Sequence, residues 1–298
     1  MLQPRLDLGL LLDIDGPIAS PIASPVTRTI AIASIVSDLI ALCAAGVPIA
    51  FITGRSHIFV RDQVIAPLRA EGLAEALQQP GARMFTVCEK GASWAPVTTQ
   101  GLGEIVFDDS LRVPELLATR LRELHASEFA ASMFWDDTKW AMVSVERRLD
   151  AMSEDFHPAQ IRFNSAAFAT AVGLGFGIRM GERAVPDAVG EHPWRIDSTI
   201  ISTDVESVKL DKDRGAQRAI EYFEGLGELP RVWRSVGDSR SDYLMADYAH
   251  AIGLEVAHVD VRPSDGVLDK PYRVITEGDL VHDEAGAAFL SYWAAKIR

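Results

Sequence analysis

Cysteine is scarce in this sequence, which has only two among its 298 residues. Cys43 falls in a helix-like segment and Cys88 in a strand-like one, so we expect two buried, unpaired thiols. Two such residues cannot form the disulfide framework of a secreted protein. The composition is therefore typical of a reducing compartment, and we expect a cytoplasmic protein.

Long apolar runs are also missing. The early run Leu8–Leu12 is followed directly by the acids Asp13 and Asp15. It is too short for the apolar part of a signal peptide and far too short for a membrane-spanning helix.

Basic residues are outnumbered by acidic ones, with 29 Lys and Arg against 42 Asp and Glu and a net charge of −13. A surface of this sign repels nucleic acid and anionic membranes, so we expect neither as a partner. It also repels a phosphorylated substrate, unless a metal ion and nearby Lys or Arg residues reverse the local field.

The sequence does contain many short apolar segments that alternate with helix-length segments. Hydrophobic residues make up 48% and charged residues 24%, a globular composition, and the length fits two domains. The order strand, helix, strand, helix, strand predicts a Rossmann-like parallel sheet with helices on both faces. The predicted strands of this part are 8–13, 47–52 and 84–88, and the first predicted helix is 26–45, with Thr27 or Thr29 as its cap.

The alternation breaks in the middle of the chain. Residues 111–129 favour a helix, 140–147 favour a half-exposed antiparallel strand, and 167–177 are small and glycine-rich. The first pattern then resumes with a strand at 199–203, a helix at 213–223 and a strand at 232–236. We interpret residues 93–197 as an inserted, smaller α/β (α+β) domain, and residues 1–92 with 198–298 as the core.

Polar residues follow three of the predicted strands at the point where each strand ends. In an open parallel sheet, binding sites form outside the carboxyl ends of the strands. Alternation along the first strand puts Asp13 and Asp15 on one side, and Gly16 permits a turn after them. The polar segments are Asp13-Ile14-Asp15-Gly16, Thr53-Gly54-Arg55 and Gly237-Asp238-Ser239-Arg240-Ser241-Asp242, and Lys212 begins the helix before the last of these strands.

Together these groups can carry out phosphoryl transfer. One carboxylate can attack phosphorus, and a second can protonate the leaving oxygen and later activate water. Carboxylates with open positions bind Mg²⁺, which prefers oxygen ligands, while a hydroxyl and an ammonium hold the remaining phosphoryl oxygens. Asp13, Asp15, Thr53, Lys212, Asp238 and Asp242 supply each of these groups.

Each motif alone has an ordinary structural interpretation. Acids at strand ends are common in loops, and a Thr-Gly turn after a strand needs no function. Asp242 falls in the first turn of a helix, where the helix dipole favours an acid. Lys212, between two aspartates, is compatible with a solvated charge. The occurrence of all four motifs in order, each at the correct end of its element, favours the functional interpretation.

In these four motifs the chain resembles the haloacid dehalogenase superfamily over residues 8–92 and 199–260. The resemblance implies Asp13 as nucleophile, Asp15 as general acid and base, and Thr53 and Lys212 as phosphoryl-binding residues. It further implies Mg²⁺ bound by the carboxylates of Asp13 and Asp238 and the backbone carbonyl of Asp15, with Asp242 ligating or orienting. The second aspartate favours phosphatases and phosphomutases over dehalogenases.

Two departures from the family pattern are present. Pro17 stands where the family usually has Thr or Val, and Gly215 follows Lys212 by three residues where the family often has Lys-Gly. Lys209 therefore stays open as an alternative to Lys212, which is favoured by its position at the start of a helix.

The inserted block resembles the family's type-two cap domains, and the turn at Cys88-Glu89-Lys90-Gly91-Ala92 resembles the turn before subclass IIB caps. That subclass includes phosphatases of trehalose, sucrose and mannosylglycerate phosphates, together with phosphomannomutases. Lys139 and Arg147 faintly resemble residues of trehalose-phosphate phosphatase caps and are candidate substrate-binding residues. An exposed hairpin with solvated charges is the alternative.

Gly54 and Arg55 adjoin the phosphate motif and are also candidate substrate-binding residues. Arg55 is equally compatible with an ordinary surface arginine. His57 and His192 show no ligand spacing, so we expect no histidine metal site.

The expected function is Mg²⁺-dependent hydrolysis of a small phosphorylated metabolite, such as a sugar phosphate, through an aspartyl-phosphate. A phosphomutase and a non-catalytic phosphometabolite-binding protein are the alternatives. The oligomeric state is expected to be a monomer or a homodimer.

Overall fold

The computed structural model describes residues 7–20, 28–148, 150, 153–199 and 201–297. The chain forms two compact units, a first unit of Met1–Phe107 with Asp211–Arg298 and a second unit of Asp108–Leu210.

The N-terminal part of the first unit alternates strands and helices and ends in three short antiparallel strands. In chain order its elements are β1 (Leu8–Leu12), α1 (Ala33–Ala44), β2 (Ile49–Ile52), α2 (His57–Val60), a π-helical turn (Arg61–Ile65), α3 (Ala66–Ala70), α4 (Leu73–Ala76), β3 (Met84–Cys88), a 3₁₀ turn (Glu89–Gly91), β4 (Ser93–Thr98), β5 (Gly101–Leu102) and β6 (Val106–Phe107).

The second unit is built from one antiparallel-rich sheet and two main helices. Its elements are a 3₁₀ turn (Asp109–Leu111), α5 (Glu115–Leu124), a π-helical turn (His125–Phe129), β7 (Met133–Trp135), β8 (Val143–Arg147), α6 (Ser153–Gly173), β9 (Ile178–Met180), β10 (Arg183–Val185), β11 (Trp194–Ser198) and β12 (Ser202–Ser207).

The chain then returns to the first unit and completes its sheet. The remaining elements are α7 (Lys212–Gly225), β13 (Val232–Gly237), a 3₁₀ turn (Arg240–Asp242), α8 (Tyr243–Ala251), β14 (Glu255–Asp260), a 3₁₀ turn (Pro263–Asp265), β15 (Arg273–Ile275) and α9 (His282–Ala294).

The sheet of the first unit has the order β15-β14-β13-β1-β2-β3-β4-β5, with β6 paired to β4. The strands from β15 to β3 are parallel, and β4 and its partners are antiparallel. Strand β1 is central, because it pairs with β13 on one side and with β2 on the other. The ends of these three strands therefore lie side by side.

Side chains of β1 point alternately to two apolar layers. Leu8, Leu10 and Leu12 pack with residues of α1 and α9, whereas Leu11 packs with residues of α7 and α8. A strand that is buried on both faces needs a continuous apolar sequence, which is what β1 has. The predicted fold class, a mostly parallel sheet with helices on both faces, is confirmed.

The boundaries of the inserted block differ from the predicted 93–197. Strand β4 pairs antiparallel with β3, because the tight turn at Glu89–Gly91 sets Ser93 opposite Cys88. Residues 93–107 therefore belong to the first unit. The predicted core strand at 199–203 is also displaced, since β12 pairs antiparallel with β11 and β8 in the second unit.

The predicted helix at 26–45 is shorter in the structure. Thr27 lies outside the described residues, and α1 begins only at Ala33. Thr29 does not cap the helix, because its hydroxyl donates to the carbonyl of Gln63 at 2.6 Å. Ile30 is buried in the core, and residues 28–32 form no regular secondary structure.

The sheet of the second unit has the order β10-β9-β11-β12-β8-β7. Val143 and Val145 of β8 pack with apolar residues of α5 and α6. The alternate residues Ser144 and Glu146 are polar and buried, so the two faces of this sheet differ in chemistry.

Among the described residues, no helix has the length and apolar character needed to cross a membrane.

Candidate active site

The predicted polar segments meet at the carboxyl ends of β13, β1 and β2. The amide of Asp13 continues the ladder by donating to the carbonyl of Val236 at 2.9 Å, and the amide of Thr53 donates to Val87 at 3.0 Å. Asp13, Thr53 and Asp238 therefore follow strands that are direct or near neighbours in the sheet.

Lys212 joins the acids of two strand ends. Its ammonium nitrogen Nζ lies 2.6 Å from Oδ1 of Asp13 and 2.6 Å from Oδ1 of Asp242, and it donates to the carbonyl of Ile52 at 3.0 Å. Lys212 is 5% exposed and Asp13 is 6% exposed, so these charges interact with little screening by water.

The local sequence explains why Lys212 reaches this position. Asp211 caps α7 by accepting from the amide of Lys212, which makes Lys212 the first residue of the helix. Gly215 lets this turn approach β2, because a Cβ there would lie 2.3 Å from Cγ2 of Ile52. The alternative Lys209 is exposed and belongs to the second unit.

Asp242 is fixed by the turn that follows β13. Its Oδ2 accepts from the amide and hydroxyl of Ser239 at 2.9 and 2.8 Å and from the amide of Asp238 at 3.1 Å. Gly237 leaves room for this carboxylate, because a Cβ at Gly237 would lie 2.3 Å from Cγ of Asp242.

These contacts have opposite effects on the two acids that share Lys212. Burial, together with the nearby charge of Asp242, raises the pKa of Asp13 well above its usual value despite the presence of Lys212. Burial acts in the same sense on Asp242, but Lys212 and the bonds from Ser239 outweigh it and lower the pKa of Asp242. The two carboxylates raise the pKa of Lys212 in spite of its burial, so Lys212 stays cationic.

Asp238 completes a cluster of carboxylates. Ligand atoms of Asp13, Asp238 and Asp242 lie within 4.8 Å of one another. Burial and the charge of Asp242 raise the pKa of Asp238 to about 7. A cation beside such a buried carboxylate stabilises its ionised form. A set of ligands made only of oxygen atoms suits a hard divalent ion. The residues therefore fit the expected Mg²⁺.

Asp15 lies outside this carboxylate cluster and is paired with two arginines. Arg55 donates to both of its oxygens, from Nε at 2.9 Å and from Nη2 at 3.1 Å, and Nη1 of Arg28 contacts Oδ1. Burial raises the pKa of Asp15, but Arg55 and then Arg28 outweigh it and hold the pKa well below the usual range. Asp15 is therefore ionised in this arrangement.

Buried Thr53 and half-buried Gly54 follow β2 beside these acids. The hydroxyl oxygen of Thr53 accepts from the amide of Arg55 at 3.1 Å, and its carbonyl accepts from the amide of Lys90 at 2.9 Å. Gly54 lies under the side chain of Lys90, with 3.7 Å between Cε and the position of a Cβ.

Three residues near the acids had no signal in the sequence. Arg28 lies in the irregular segment before α1, Arg262 follows β14, and His282 begins α9. Arg262 and His282 approach Oδ2 of Asp238 at 3.9 and 3.8 Å. None of the three belongs to a motif, so their contribution becomes visible only in three dimensions.

Among the described residues, four cationic side chains lie within ion-pair distance of the four carboxylates of the site, whereas the chain as a whole has a net charge of −13. The groups in contact are Asp13, Asp15, Asp238, Asp242, Lys212, Arg28, Arg55 and Arg262. A phosphate dianion therefore meets a field very different from that of the general surface.

The two remaining candidates lie in the second unit. Lys139 is in the turn between β7 and β8, and Arg147 is the last residue of β8, where its amide donates to the carbonyl of Ile201 at 2.8 Å. Neither is part of the acidic cluster, which belongs to the first unit.

Comparison with solved structures finds similar folds over almost the whole chain. The C-terminal domain of a trehalose-6-phosphate phosphatase from C. albicans has a TM-score of 0.65 at 13% identity and covers 97% of this chain and 92% of that chain. A trehalose-6-phosphate phosphatase related protein has a TM-score of 0.57 at 15% identity, over 97% of each chain. A haloacid dehalogenase-like hydrolase from Bacteroides thetaiotaomicron has a TM-score of 0.57 at 12% identity, over 96% of this chain and 98% of that chain.

No family model matches the sequence, and the comparison with curated proteins finds no match either. The likeness is therefore one of fold, and it does not identify a substrate. It agrees with the resemblance that the motifs indicated. The chain has the fold of the haloacid dehalogenase-like hydrolases.

Proposed function

We propose that this protein is a Mg²⁺-dependent phosphomonoesterase that uses Asp13 as a covalent nucleophile. One observation carries the proposal: the buried carboxylate of Asp13 touches Lys212 and lies within 4.8 Å of the carboxylates of Asp238 and Asp242. A protein that only binds phosphate gains nothing from an acid at this position, since a carboxylate repels the ligand. The arrangement serves a nucleophile whose charge is compensated.

In the proposed reaction a carboxylate oxygen of Asp13 attacks phosphorus, and the bond from phosphorus to the leaving oxygen breaks. Asp15 gives its proton to the leaving oxygen. Water then attacks phosphorus and returns a proton to Asp15, the bond to Asp13 breaks, and inorganic phosphate is released. Lys212 and the hydroxyl of Thr53 hold phosphoryl oxygens while charge spreads over them.

The metal ligands in this proposal are the carboxylates of Asp13, Asp238 and Asp242 together with the backbone carbonyl of Asp15. When bound, Mg²⁺ supplies positive charge that offsets the repulsion between the nucleophile and the phosphate. The raised pKa values of Asp13 and Asp238 support a divalent ion here, because such an ion favours the ionised form of both.

The pairing of Asp15 with Arg28 and Arg55 corresponds to one half of this cycle. The carboxylate form suits activation of water in the second step. Protonation of the leaving oxygen requires the neutral acid, so the proposal includes loosening of at least one arginine contact when substrate binds.

For the substrate we propose a sugar phosphate. Two of the similar structures are named for trehalose-6-phosphate phosphatase. Lys139 and Arg147 remain candidates for binding the sugar, with the second unit as the cap domain, and Gly54 and Arg55 for binding near the phosphate. We further propose a cytoplasmic monomer or homodimer.

The decisive experiment compares phosphate release by the wild type and Asp13→Asn, using 4-nitrophenyl phosphate with and without Mg²⁺. Asn keeps the shape of the side chain but cannot form an acyl phosphate, so we expect release to fall by at least about 10³-fold. Asp62→Asn is the matched control, because Asp62 is an exposed acid paired with its neighbour Arg61. Full activity in Asp13→Asn would contradict the mechanism.

The same protein tested on hexose phosphates separates the alternatives. Phosphate release indicates hydrolysis, and an isomeric hexose phosphate indicates a phosphomutase. Tight binding of a sugar phosphate without turnover, in the presence of Mg²⁺, would indicate a non-catalytic binding protein.

A further inference from the structure

The carboxylate of Asp238 is enclosed by residues from three separate segments. Gly16, in the loop that follows Asp13 (the Asp13 loop), packs directly against this carboxylate. A Cβ at Gly16 would lie 2.5 Å from Cγ of Asp238. On Oδ2, Nη1 of Arg262 approaches to 3.9 Å and Nδ1 of His282 to 3.8 Å. Both approaches are to Oδ2 and are longer than a hydrogen bond, and among the described residues no ion pair involves Oδ1.

His282 is held in an unfavourable backbone conformation at this position. Its φ of +52° lies in the left-handed region, which costs a residue with a Cβ about 1–2 kcal/mol. The amide of His282 donates to the carbonyl of Val261 at 2.7 Å, which ties it to the end of β14. Strain that is maintained by the surrounding structure is a reason to look for a function of the strained residue.

Helix α9, which begins at His282, also packs against the Asp13 loop. A Cβ at Gly286 would lie 1.8 Å from the carbonyl oxygen of Pro17, so the helix and the loop are in close contact. Farther along, the hydroxyl of Ser291 donates to Asp38 of α1 at 2.5 Å. One helix thus sets the position of His282 relative to the loop that follows Asp13 and to α1.

The imidazole of His282 lies close to Asp238. Its Nδ1 is buried and makes no hydrogen bond, and the only carboxylate oxygen within 4 Å of it among the described residues is Oδ2 of Asp238. A glycine would begin the helix at this φ without strain. The presence of histidine is therefore explained by what its ring does, and the ring faces Asp238.

We propose that His282 is a positioning residue for Asp238. Its imidazole, assisted by Arg262, holds Oδ2 so that Oδ1 is directed to the divalent cation; this cation is the one required by the proposed phosphatase function. Residues that orient a metal ligand in this way typically contribute about 10- to 100-fold to metal affinity.

The test measures Mg²⁺ binding to the metal-free protein by calorimetry, without substrate. In His282→Gly the left-handed backbone is no longer strained, so we expect unchanged or higher thermal stability. The Mg²⁺ dissociation constant is expected to rise about tenfold or more. A structural role at the start of α9 would leave the dissociation constant unchanged, and that result would overturn the inference.

Two further variants serve as controls for this measurement. Asp238→Asn should remove most Mg²⁺ binding, and His192→Gly, which changes a loop histidine of the second unit, should bind like the wild type. A wild type that binds no Mg²⁺ would overturn the inference.

Failure of the proposed function has a different outcome. A protein that binds Mg²⁺ with dependence on Asp238 and His282 but hydrolyses no phosphate ester would refute the phosphatase and leave the role of His282 intact.

Discussion

The ammonium of Lys212 lies 2.6 Å from Oδ1 of Asp13, and it is equally close to Asp242. One buried cation therefore pairs with two buried carboxylates. Removal of one partner from such an arrangement leaves uncompensated charge, which typically costs about 3–5 kcal/mol. The position of Lys212 thus bears on stability as well as on phosphoryl transfer.

We expect Lys212→Met to lower the stability of the metal-free protein by several kcal/mol and to abolish most phosphate release. Added Mg²⁺ should recover part of the stability, because it restores positive charge beside Asp13 and Asp242. Urea denaturation with and without Mg²⁺ measures the first effect, and phosphate release measures the second. The double variant Lys212→Met/Asp242→Asn should regain stability without regaining activity.

Lys209→Met provides the matched control for this lysine. Lys209 is exposed, so its removal should change stability by less than about 0.5 kcal/mol and leave phosphate release near the wild-type level. If Lys209→Met were the inactive variant, the assignment of the catalytic lysine would be reversed.

The arginine pair on Asp15 leads to a prediction about pH. Burial raises the pKa of Asp15, but Arg55 and Arg28 outweigh it and hold the pKa below the usual range. Removal of a cation disfavours the carboxylate, so Arg28→Met should raise the pKa of Asp15. The acid limb of the kcat–pH profile should therefore move to higher pH. The measurement uses 4-nitrophenyl phosphate, because its leaving group needs no proton.

Arg83→Met is the control for this profile. Arg83 donates to the backbone carbonyls of Phe223 and Glu228, which lie at and beyond the end of α7 that is remote from Lys212. Its loss should affect stability without moving the acid limb. An unmoved limb in Arg28→Met would mean that ionisation of Asp15 does not limit the rate.

The core of the site is predictable from the sequence because the key acids follow directly on apolar strands. Asp13 and Asp238 end neighbouring parallel strands, so their proximity follows from the fold. The start of the inserted block has no comparable signal. Strand β4 alternates buried and half-buried residues as a strand of either sheet would, and only its pairing with β3 assigns it.

Arg28 and His282 could not be predicted from the sequence, for a different reason. Arg28 is held near Asp15 by its neighbour Thr29, which bonds to the carbonyl of Gln63 in a π-helical turn. His282 depends on the register of α9 against the Asp13 loop. Both positions arise from packing between distant segments, which leaves no periodic pattern in the sequence.

The raised pKa of Asp238 predicts that the stability of the metal-free protein depends on pH. Burial and Asp242 raise its pKa to about 7, whereas in the unfolded chain it titrates near its ordinary value of about 3.9. The folded state therefore binds the proton more tightly, and the stability gained from it is present below about pH 4 and is lost as pH rises to about 7. Each tenfold difference in proton affinity between the folded and unfolded states corresponds to about 1.4 kcal/mol.

Other groups titrate in the same window, so the prediction concerns a difference between proteins. Asp13 acts in the same sense, while His258, whose pKa burial lowers to about 4, acts in the opposite sense. The Asp238→Asn variant has no titrating group at this position and should be more stable than the wild type at pH 8. This difference in stability should shrink toward pH 4. Urea denaturation without metal measures this difference, and a constant difference would contradict the raised pKa.

The close approach of α7 to β2 gives a prediction with an internal control on the same helix. Gly215 has no room for a side chain, since a Cβ would lie 2.3 Å from Cγ2 of Ile52, whereas a Cβ at Gly225 meets nothing within 4 Å. Gly215→Ala should destabilise the protein by about 1–3 kcal/mol through overpacking. Gly225→Ala should stabilise it by up to about 1 kcal/mol, because alanine favours the helix.

Activity distinguishes a general loss of stability from displacement of Lys212. Gly215 lies one turn after Lys212, so pushing the helix away from Ile52 also withdraws the ammonium from Asp13. We therefore expect Gly215→Ala to lower kcat at temperatures where the variant is still fully folded, as monitored by circular dichroism. A folded Gly215→Ala variant with wild-type kcat would show that the site tolerates a shift of α7, and that the glycine serves packing alone.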